Sequence, residues 1–383
     1  MRGSTSAPAG GAGAARTPSP DRPWESGEAV RAALPRAASG VSGMIGGVST
    51  RPASSSPTAS PGPAVPARGG HPLLPAPREH VAVFGHRGAR GDVCESTVEG
   101  FLHAARVGAL GVELDVLLTA DDAAIVWHDP VLADDKCTTD LPGLVGRAVL
   151  DCTLGELMHL DIGSRTQAAF PHQRAVPGAR PHTLAEVLAV LRDQAPDLVV
   201  IVEVKSDPRG AAAPDRRRRL VEATLRDVDA AGARDRVVMH SFDWSVLPLV
   251  ADLAPDLPRS ALALPGETFL AGSDWLVSGV YEDHDGDLVD AARAVGAHYV
   301  CPRHRARRRA QALDEGIPGR AAADLTAYDV VDADFVRRAH AAGLGVVPWT
   351  VDDPADLRHL AHCGVDAVVC DHPGDAVRLL ADI

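Results

Sequence analysis

The chain has 383 residues, a formal net charge of -13, 45% apolar residues and only 4% aromatic ones. The acidic balance argues against a general nucleic-acid binder, since a polyanion is repelled except at a local basic patch. No stretch approaches the roughly 18–20 apolar residues of a membrane span and the N-terminus lacks a signal-like apolar run, so no stable membrane anchor is expected; six cysteines without a CxxC pair suggest a reduced, cytoplasmic setting.

Residues 1–78 are rich in Ala, Gly, Ser, Pro and Arg. Such a stretch cannot bury enough apolar surface to offset the entropy of ordering it. It is expected to be a disordered tail, with at most a short helix around Glu25–Leu34, ahead of one folded domain over 79–383.

From His80 onward, short β-branched runs alternate with Ala/Leu-rich helical stretches. The predicted strands are Val81–Phe84, Gly111–Leu118, Ala124–Trp127, Leu198–Val204, Arg236–Ser241, Ser260–Leu264, His298–Cys301, Gly345–Trp349 and Ala367–Cys370. The predicted helices are Ser96–Val107, Leu184–Gln194, Pro214–Ala231, Trp244–Leu253, Leu288–Val295, Ala333–Ala342, Pro354–His362 and Gly374–Ala381. Strands alternating with helices imply a parallel sheet covered by helices. The link from Leu118 to Ala124 is too short for a parallel crossover, so Ala124–Trp127 must fold back as an antiparallel hairpin arm. Eight parallel strands remain, the number that closes a (β/α)8 TIM barrel. The barrel is then extended by the hairpin and an insertion over 130–181, after strand 2. A second insertion covers 303–325 and begins with an Arg-rich run, Arg303 to Arg309.

Chemistry-bearing residues gather at predicted strand ends, which converge on one mouth of such a barrel. His86 and Arg87 follow the first strand. Glu113 and Asp115 lie one residue apart and share a strand face, as do Glu203 and Lys205. His128 ends the hairpin arm. Three carboxylates, Glu113, Asp115 and Glu203, repel one another unless a cation sits between them, and oxygen-only ligation points to Mg²⁺ or Ca²⁺. Arg87 and Lys205 supply positive charge for a phosphate. His86 and His128 suit general acid and general base roles. Each residue alone has a structural explanation; their joint occurrence on three strand ends favours phosphodiester hydrolysis. Other features are read as structural: Arg216–Arg219 as a solvated helix face, the Arg303–Arg309 cluster as surface, and His359/His362 as a helix pair without the Glu of a metalloprotease.

In their order and spacing these motifs resemble the glycerophosphodiester phosphodiesterase family, with its phospholipase-C-like TIM barrel. Gly85-His86-Arg87-Gly88 is similar to the family's opening HRG motif. Glu113-Leu114-Asp115-Val116 and Val126-Trp127-His128-Asp129 are similar to its E-x-D-V and V-x-H-D segments. Val202-Glu203-Val204-Lys205 is similar to its E-x-K strand, Ser241-Phe242 to a later Ser-Phe, Trp349-Thr350-Val351 to W-T-V, and Asp371-His372-Pro373 to the closing D-x-P. The resemblance runs from about Val81 to Pro373. It implies that His86 and His128 form the acid/base pair, that Glu113, Asp115 and Glu203 hold the divalent metal, that Arg87 and Lys205 contact the phosphate, and that Trp349 packs on the glycerol or alcohol. Glu95 keeps the family's supporting acid, whereas Cys94 and Ser96 stand where the family has Pro and Asn. The implied reaction is hydrolysis of a glycerophosphodiester to sn-glycerol 3-phosphate and an alcohol. Two alternatives stand beside it: a lysophospholipase D-type enzyme on lipid-bearing diesters, and a barrel that binds phosphodiesters without turnover. The intact histidine pair argues against the second. Nothing in the sequence sets the oligomeric state.

Overall fold

The computed structural model describes residues 81–307, 327–381 and 383. The expected tail over 1–78, the Glu25–Leu34 helix and most of the second insertion lie outside the described residues.

The barrel strands are β1 (Ala82–Gly85), β2 (Gly111–Leu118), β4 (Val199–Val204), β5 (Val237–Ser241), β6 (Arg259–Ala263), β7 (Tyr299–Pro302), β8 (Gly345–Val346) and β9 (Ala367–Cys370); β3 (Ala124–Val126) is the hairpin arm. They are hydrogen-bonded in the order β8-β7-β6-β5-β4-β2-β1-β9, every pair parallel, with β3 antiparallel on β2. The ring closes between β8 and β9 through three backbone bonds: Asp366 N to Val346 O at 3.0 Å, Val369 N to Pro348 O at 3.0 Å and Val351 N to Val369 O at 2.9 Å. Here the strand prediction overran by the most residues. Gly345–Trp349 shrinks to Gly345–Val346, because Pro348 has no N–H to donate to a ladder.

Each barrel strand is followed by a helix: Val98–Arg106, Leu184–Gln194, Ala213–Ala230, Val246–Leu253, Leu288–Ala294, Ala333–Ala341, Pro354–Cys363 and Pro373–Leu380. Their starts are locally encoded. Thr97 caps the first through Gly100 N, and Thr183 with Glu186 forms a capping box on the second, each worth about 1 kcal/mol. The second helix buries Leu184, Val187, Leu188 and Leu191 against Val112, Leu114, Val200 and Val202 of the strands. Alternate strand residues are therefore spent on the outer packing, which leaves Glu113, Asp115 and Glu203 facing inward. Among the described residues no helix is long and apolar enough to cross a membrane.

The hairpin arm carries the first insertion. Leu117, Ile125 and Trp127 form a floor on which Leu132, Leu144, Val149, Leu157 and Ile162 pack. The insertion therefore has its own small core and sits over the C-terminal ends of the strands. The base of the second insertion is a short antiparallel pair, Arg305–Arg307 with Ala327–Asp329. A groove of about 1140 Å³ opens at the opposite, N-terminal end of the barrel, lined by residues such as Val83, Leu102, Leu110 and Val377, with Arg106 and Asp197 the ionisable side chains among the described residues.

Candidate active site

The His-Arg-Gly segment leaves β1 in a strained turn. Arg87 has φ 48° and Gly88 φ 97°. A Cβ on Gly88 would come within 2.9 Å of Gly100 C and 3.0 Å of Phe101 N, so only glycine fits there. The turn points two groups at the mouth. The Arg87 N–H donates to Glu113 Oε2 at 3.0 Å. The His86 Nδ1 lies 2.6 Å from Asp371 Oδ1, just past β9 on the neighbouring strand. Burial works against a charged Asp371, yet His86 and its hydrogen bond hold the carboxyl below its ordinary range. An ionised carboxylate can only accept, so Nδ1 carries the proton. His86 Nε2 is left facing the site, 3.9 Å from Glu113 Oε2.

Glu113, Asp115 and Glu203 are brought together by the β2–β4 register, in which Asp115 pairs with Glu203. One oxygen from each lies within 4.8 Å of the others, and all three residues are buried. Burial, then Asp115 and Glu203, pushes the Glu113 carboxyl well up. Burial also pushes Glu203 up to about 7, even though Lys205 Nζ lies 3.1 Å from its Oε1. Asp115 is held down instead, with His128, Lys205 and Arg87 outweighing its burial. Its Oδ2 accepts no hydrogen bond and faces Arg87 Nε at 3.6 Å. Two buried carboxylates that resist ionisation, beside a third that is ionised and keeps one oxygen unbonded, form an all-oxygen donor set that fits a hard divalent cation.

The hairpin arm delivers His128. Trp127 N donates to Asp115 O at 3.1 Å, which fixes the arm over the carboxylates. His128 Nδ1 lies 2.6 Å from Asp129 Oδ1, and Asp129 is held low against its burial by Lys136 and Arg87. By the same reasoning His128 keeps its proton on Nδ1. Burial, then Arg87 and Lys205, pushes the His128 imidazole well down, so it stands neutral with Nε2 able to accept.

Glu95 lies behind Arg87. Its carboxylate receives Arg87 Nη1 at 3.2 Å, Lys136 Nζ at 2.9 Å and Gln167 Nε2 at 2.7 Å, and forms an ion pair with Arg90, whose Nε lies 3.2 Å away. Lys136, Arg87 and Arg90 together outweigh its burial and hold it well below the usual range. Ser96 holds φ 59° next to it, a left-handed geometry that Asn tolerates better than Ser. This gives a physical meaning to the departure from the family's Asn. Cys94, in the family's Pro position, donates its thiol to Gly163 O of the insertion at 3.2 Å.

Trp349 lies beyond β8 and is nearly buried. Its indole N–H donates to Cys301 O at 2.9 Å, and its ring meets Phe242 edge-on at 5.5 Å between centroids. Phe242 in turn meets Trp275 at 6.5 Å, so the Ser241-Phe242 segment contributes to an aromatic wall.

The structure thus draws together His86, Arg87, Glu95, Glu113, Asp115, His128, Glu203 and Lys205, with Trp349 on the aromatic wall. Four participants escaped the sequence reading. Asp371 was visible only as part of a D-x-P motif, and Asp129 only as the neighbour of His128. Lys136 and Gln167 sit in the insertion without any motif. Fully buried His240 lies beside Glu203 in the β4–β5 register, with Nδ1 unbonded and its imidazole pushed down to about 3 by burial and Lys205. The Arg216–Arg219 run needs one correction: Arg217 is largely buried and donates to Asp243 Oδ2 at 2.6 Å, the oxygen that also receives Ser206 Oγ. It braces the segment after Lys205 and does not belong to the solvated face.

Residues 86–375 match the model of the glycerophosphoryl diester phosphodiesterase family. The chain belongs to this family. It is therefore a phosphoric diester hydrolase. A glycerophosphodiester phosphodiesterase from Caldanaerobacter subterraneus subsp. tengcongensis is 27% identical over 304 residues, spanning 78% of this chain and 97% of that protein. A crystal structure from Silicibacter pomeroyi DSS-3, of a protein bearing the family's name, superposes with a TM-score of 0.65 at 33% identity and covers 82% of this chain and 95% of that one. An Oleispira antarctica phosphodiesterase, solved in complex with the product sn-glycerol-3-phosphate, superposes with a TM-score of 0.56 at 19% identity and covers 79% of this chain and 97% of that one. This last likeness concerns the fold.

Proposed function

We propose that the protein hydrolyses glycerophosphodiesters to sn-glycerol 3-phosphate and an alcohol, with His86 and His128 as the acid/base pair. One observation carries the reading: two imidazoles, each with Nδ1 on a carboxylate, stand over a buried carboxylate cluster flanked by Arg87 and Lys205. The family membership and the product found in the Oleispira antarctica relative support it.

Glu113, Asp115 and Glu203 would hold a divalent cation, Mg²⁺ or Ca²⁺, which when bound polarises a phosphoryl oxygen and offsets its charge. The remaining work falls to the chain's own side chains. The Arg87 fork and the Lys205 ammonium bind the non-bridging phosphate oxygens. One imidazole takes the proton of the attacking oxygen at Nε2 while the P–O bond to the alcohol breaks. The other must enter the step as an imidazolium, protonated on Nε2 as well as Nδ1, and gives its Nε2 proton to the departing oxygen, so charge balances across the step. Trp349 packs against the glycerol or alcohol carbon skeleton.

A coupled assay for glycerol 3-phosphate tests this, run on glycerophospho-choline, -ethanolamine, -inositol and -glycerol, beside a choline-release assay on lysophosphatidylcholine, with Mg²⁺ and Ca²⁺ compared. Release from the water-soluble diesters is expected. No release from any of them would overturn the reading, and cleavage of the lysophospholipid alone would favour the lysophospholipase D alternative. The proposal takes 79–383 as the catalytic domain: deleting residues 1–78 should leave kcat and the thermal transition unchanged, and a lost transition would refute that boundary. The six unpaired thiols suit the cytoplasmic setting assumed for it.

A further inference from the structure

Lys136 lies in the first insertion, in a turn closed by its own N–H and that of Cys137 on Ala133 O. Its side chain is only 15% exposed. The ammonium contacts two acids at once, Asp129 Oδ2 at 2.6 Å and Glu95 Oε1 at 2.9 Å. These are the acids that orient the two sides of the site. Asp129 takes His128 Nδ1 at 2.6 Å, and Glu95 takes Arg87 Nη1 at 3.2 Å. Each acid uses one oxygen for Lys136 and has further contacts on the rest of its carboxylate, so the ammonium joins the pair into one network.

The fold does not need this bridge. The insertion is held by Leu132, Leu144, Val149, Leu157 and Ile162, on the arm's Ile125 and Trp127. Without a cation between them, half-buried Asp129 and buried Glu95 are two like charges that repel, and each would seek another partner. The partners within reach are His128 and Arg87, the groups the reaction needs in fixed places. A carboxylate shifted by an ångström carries its imidazole with it, and misplacement on that scale is costly to catalysis.

We propose that Lys136 is a positioning residue for diester cleavage, setting His128 and Arg87 against each other by bridging Asp129 and Glu95. The inference rests on the reaction proposed above. It gives the insertion a catalytic purpose, because the one cation that bridges both acids among the described residues comes from it.

The test uses the full chain, with kcat, KM and the thermal transition measured for K136M and K136R on glycerophosphocholine and on a glycerophosphodiester with a nitrophenol leaving group. K136M keeps the length of the side chain and removes the charge. Its kcat should fall roughly 10–100-fold, the usual cost of losing a group that orients a reacting residue, with KM changed less and the transition retained. K136R, whose guanidinium can span both carboxylates, should recover most of the rate. Across the two leaving groups, the K136M loss should follow the same trend as that of H128A with smaller amplitude. A purely structural role predicts equal losses on both substrates, a lowered transition and no rescue by arginine, and that result would overturn the proposal. Should K136M fail to fold, K136Q against K136R carries the same comparison. Wild-type kcat in K136M overturns this proposal alone, whereas an inactive wild type overturns the reaction it rests on.

Discussion

The site has two halves of different origin. The rim half comes from barrel strands: His86 and Asp371 beyond β1 and β9, Glu113 and Asp115 on β2, Glu203 and Lys205 at β4. The overhanging half comes from the hairpin arm and its insertion: His128, Asp129, Lys136 and Gln167. In the rim, strand register dictates position, so residues one apart necessarily share a face. In the overhang, position depends on side-chain ion pairs between segments distant in sequence. A rigid sheet can hold repelling carboxylates together, but a loop-built group has to be tied down by partners, and Lys136 and Asp129 are those ties. The groove of about 1140 Å³ at the other end of the barrel is lined mainly by apolar residues and holds none of this chemistry.

The sharpest way to break this comparison is to remove one imidazole from each half. H86A and H128A should each lower kcat by about 10²–10⁴-fold, with the thermal transition unchanged, as read by the glycerol 3-phosphate assay and calorimetry. A loss under tenfold for H128A alone would reduce the overhang to a substrate cover.

Next come the acids that orient those imidazoles. D371N and D129N keep shape and remove charge, and Asn can turn its amide toward Nδ1 and impose the wrong tautomer. Each should lower kcat roughly 10–100-fold with little change in KM. If D129N is harmless while D371N is not, the overhanging histidine is oriented by something other than Asp129.

The same division explains what the sequence disclosed. Eight strands, the hairpin arm and the facing pairs followed from β-branched runs, short links and the two-residue period of a strand, and the structure bears out that barrel. His86, Arg87, Glu113, Asp115, Glu203 and Lys205 were legible because strand ends converge. Asp371 was not assigned a role, since its contact with His86 spans 285 positions and no periodicity links them. Lys136 was invisible for a similar reason: a lysine in a loop is usually solvated, and only folding brings it between Glu95 and Asp129. Arg217 shows the reverse error, where a run of four arginines looked uniformly exposed and one of them is turned inward onto Asp243.

Metal binding should separate the halves by a smaller effect. If Glu113, Asp115 and Glu203 hold the cation, Mg²⁺ or Ca²⁺ at about 100 times its dissociation constant stabilises the protein by about 2.7 kcal/mol, a rise of several degrees in the thermal transition. The rise should vanish in the E113Q/E203Q double variant and persist in D129N. A shift that survives in the double variant would place the metal elsewhere, and no shift in the wild type would remove it from the rim.

The smallest expected effect lies where the two halves touch. His372, at the start of the last helix, meets Phe170 of the insertion edge-on at 6.1 Å, and its Nδ1 pairs with Asp92 Oδ1 at 2.8 Å. The hydrogen bond to Asp92 raises the His372 imidazole above its ordinary value, against burial, with Asp352 and Asp371 adding to it. Asp92 also faces His103 Nε2 at 3.4 Å, and Asp352 Oδ1 accepts from the N–H groups of Asp371 and His372, although Asp352 is exposed overall. A raised imidazole stabilises the fold fully below its unfolded value near 6.5, and that contribution is lost as pH climbs through the higher folded value. The thermal transition should therefore fall slightly between pH 6 and pH 8, only slightly because His372 is partly exposed and screened. Burial and Asp371 raise Asp352 as well, which adds a loss of the same sign. H372Q should flatten the slope in part, and H372Q/D352N further. An unchanged slope in H372Q would mean that the His372–Asp92 pair, which lies on the rim side, carries none of the pH dependence, and that His372 meets the insertion through the Phe170 ring alone.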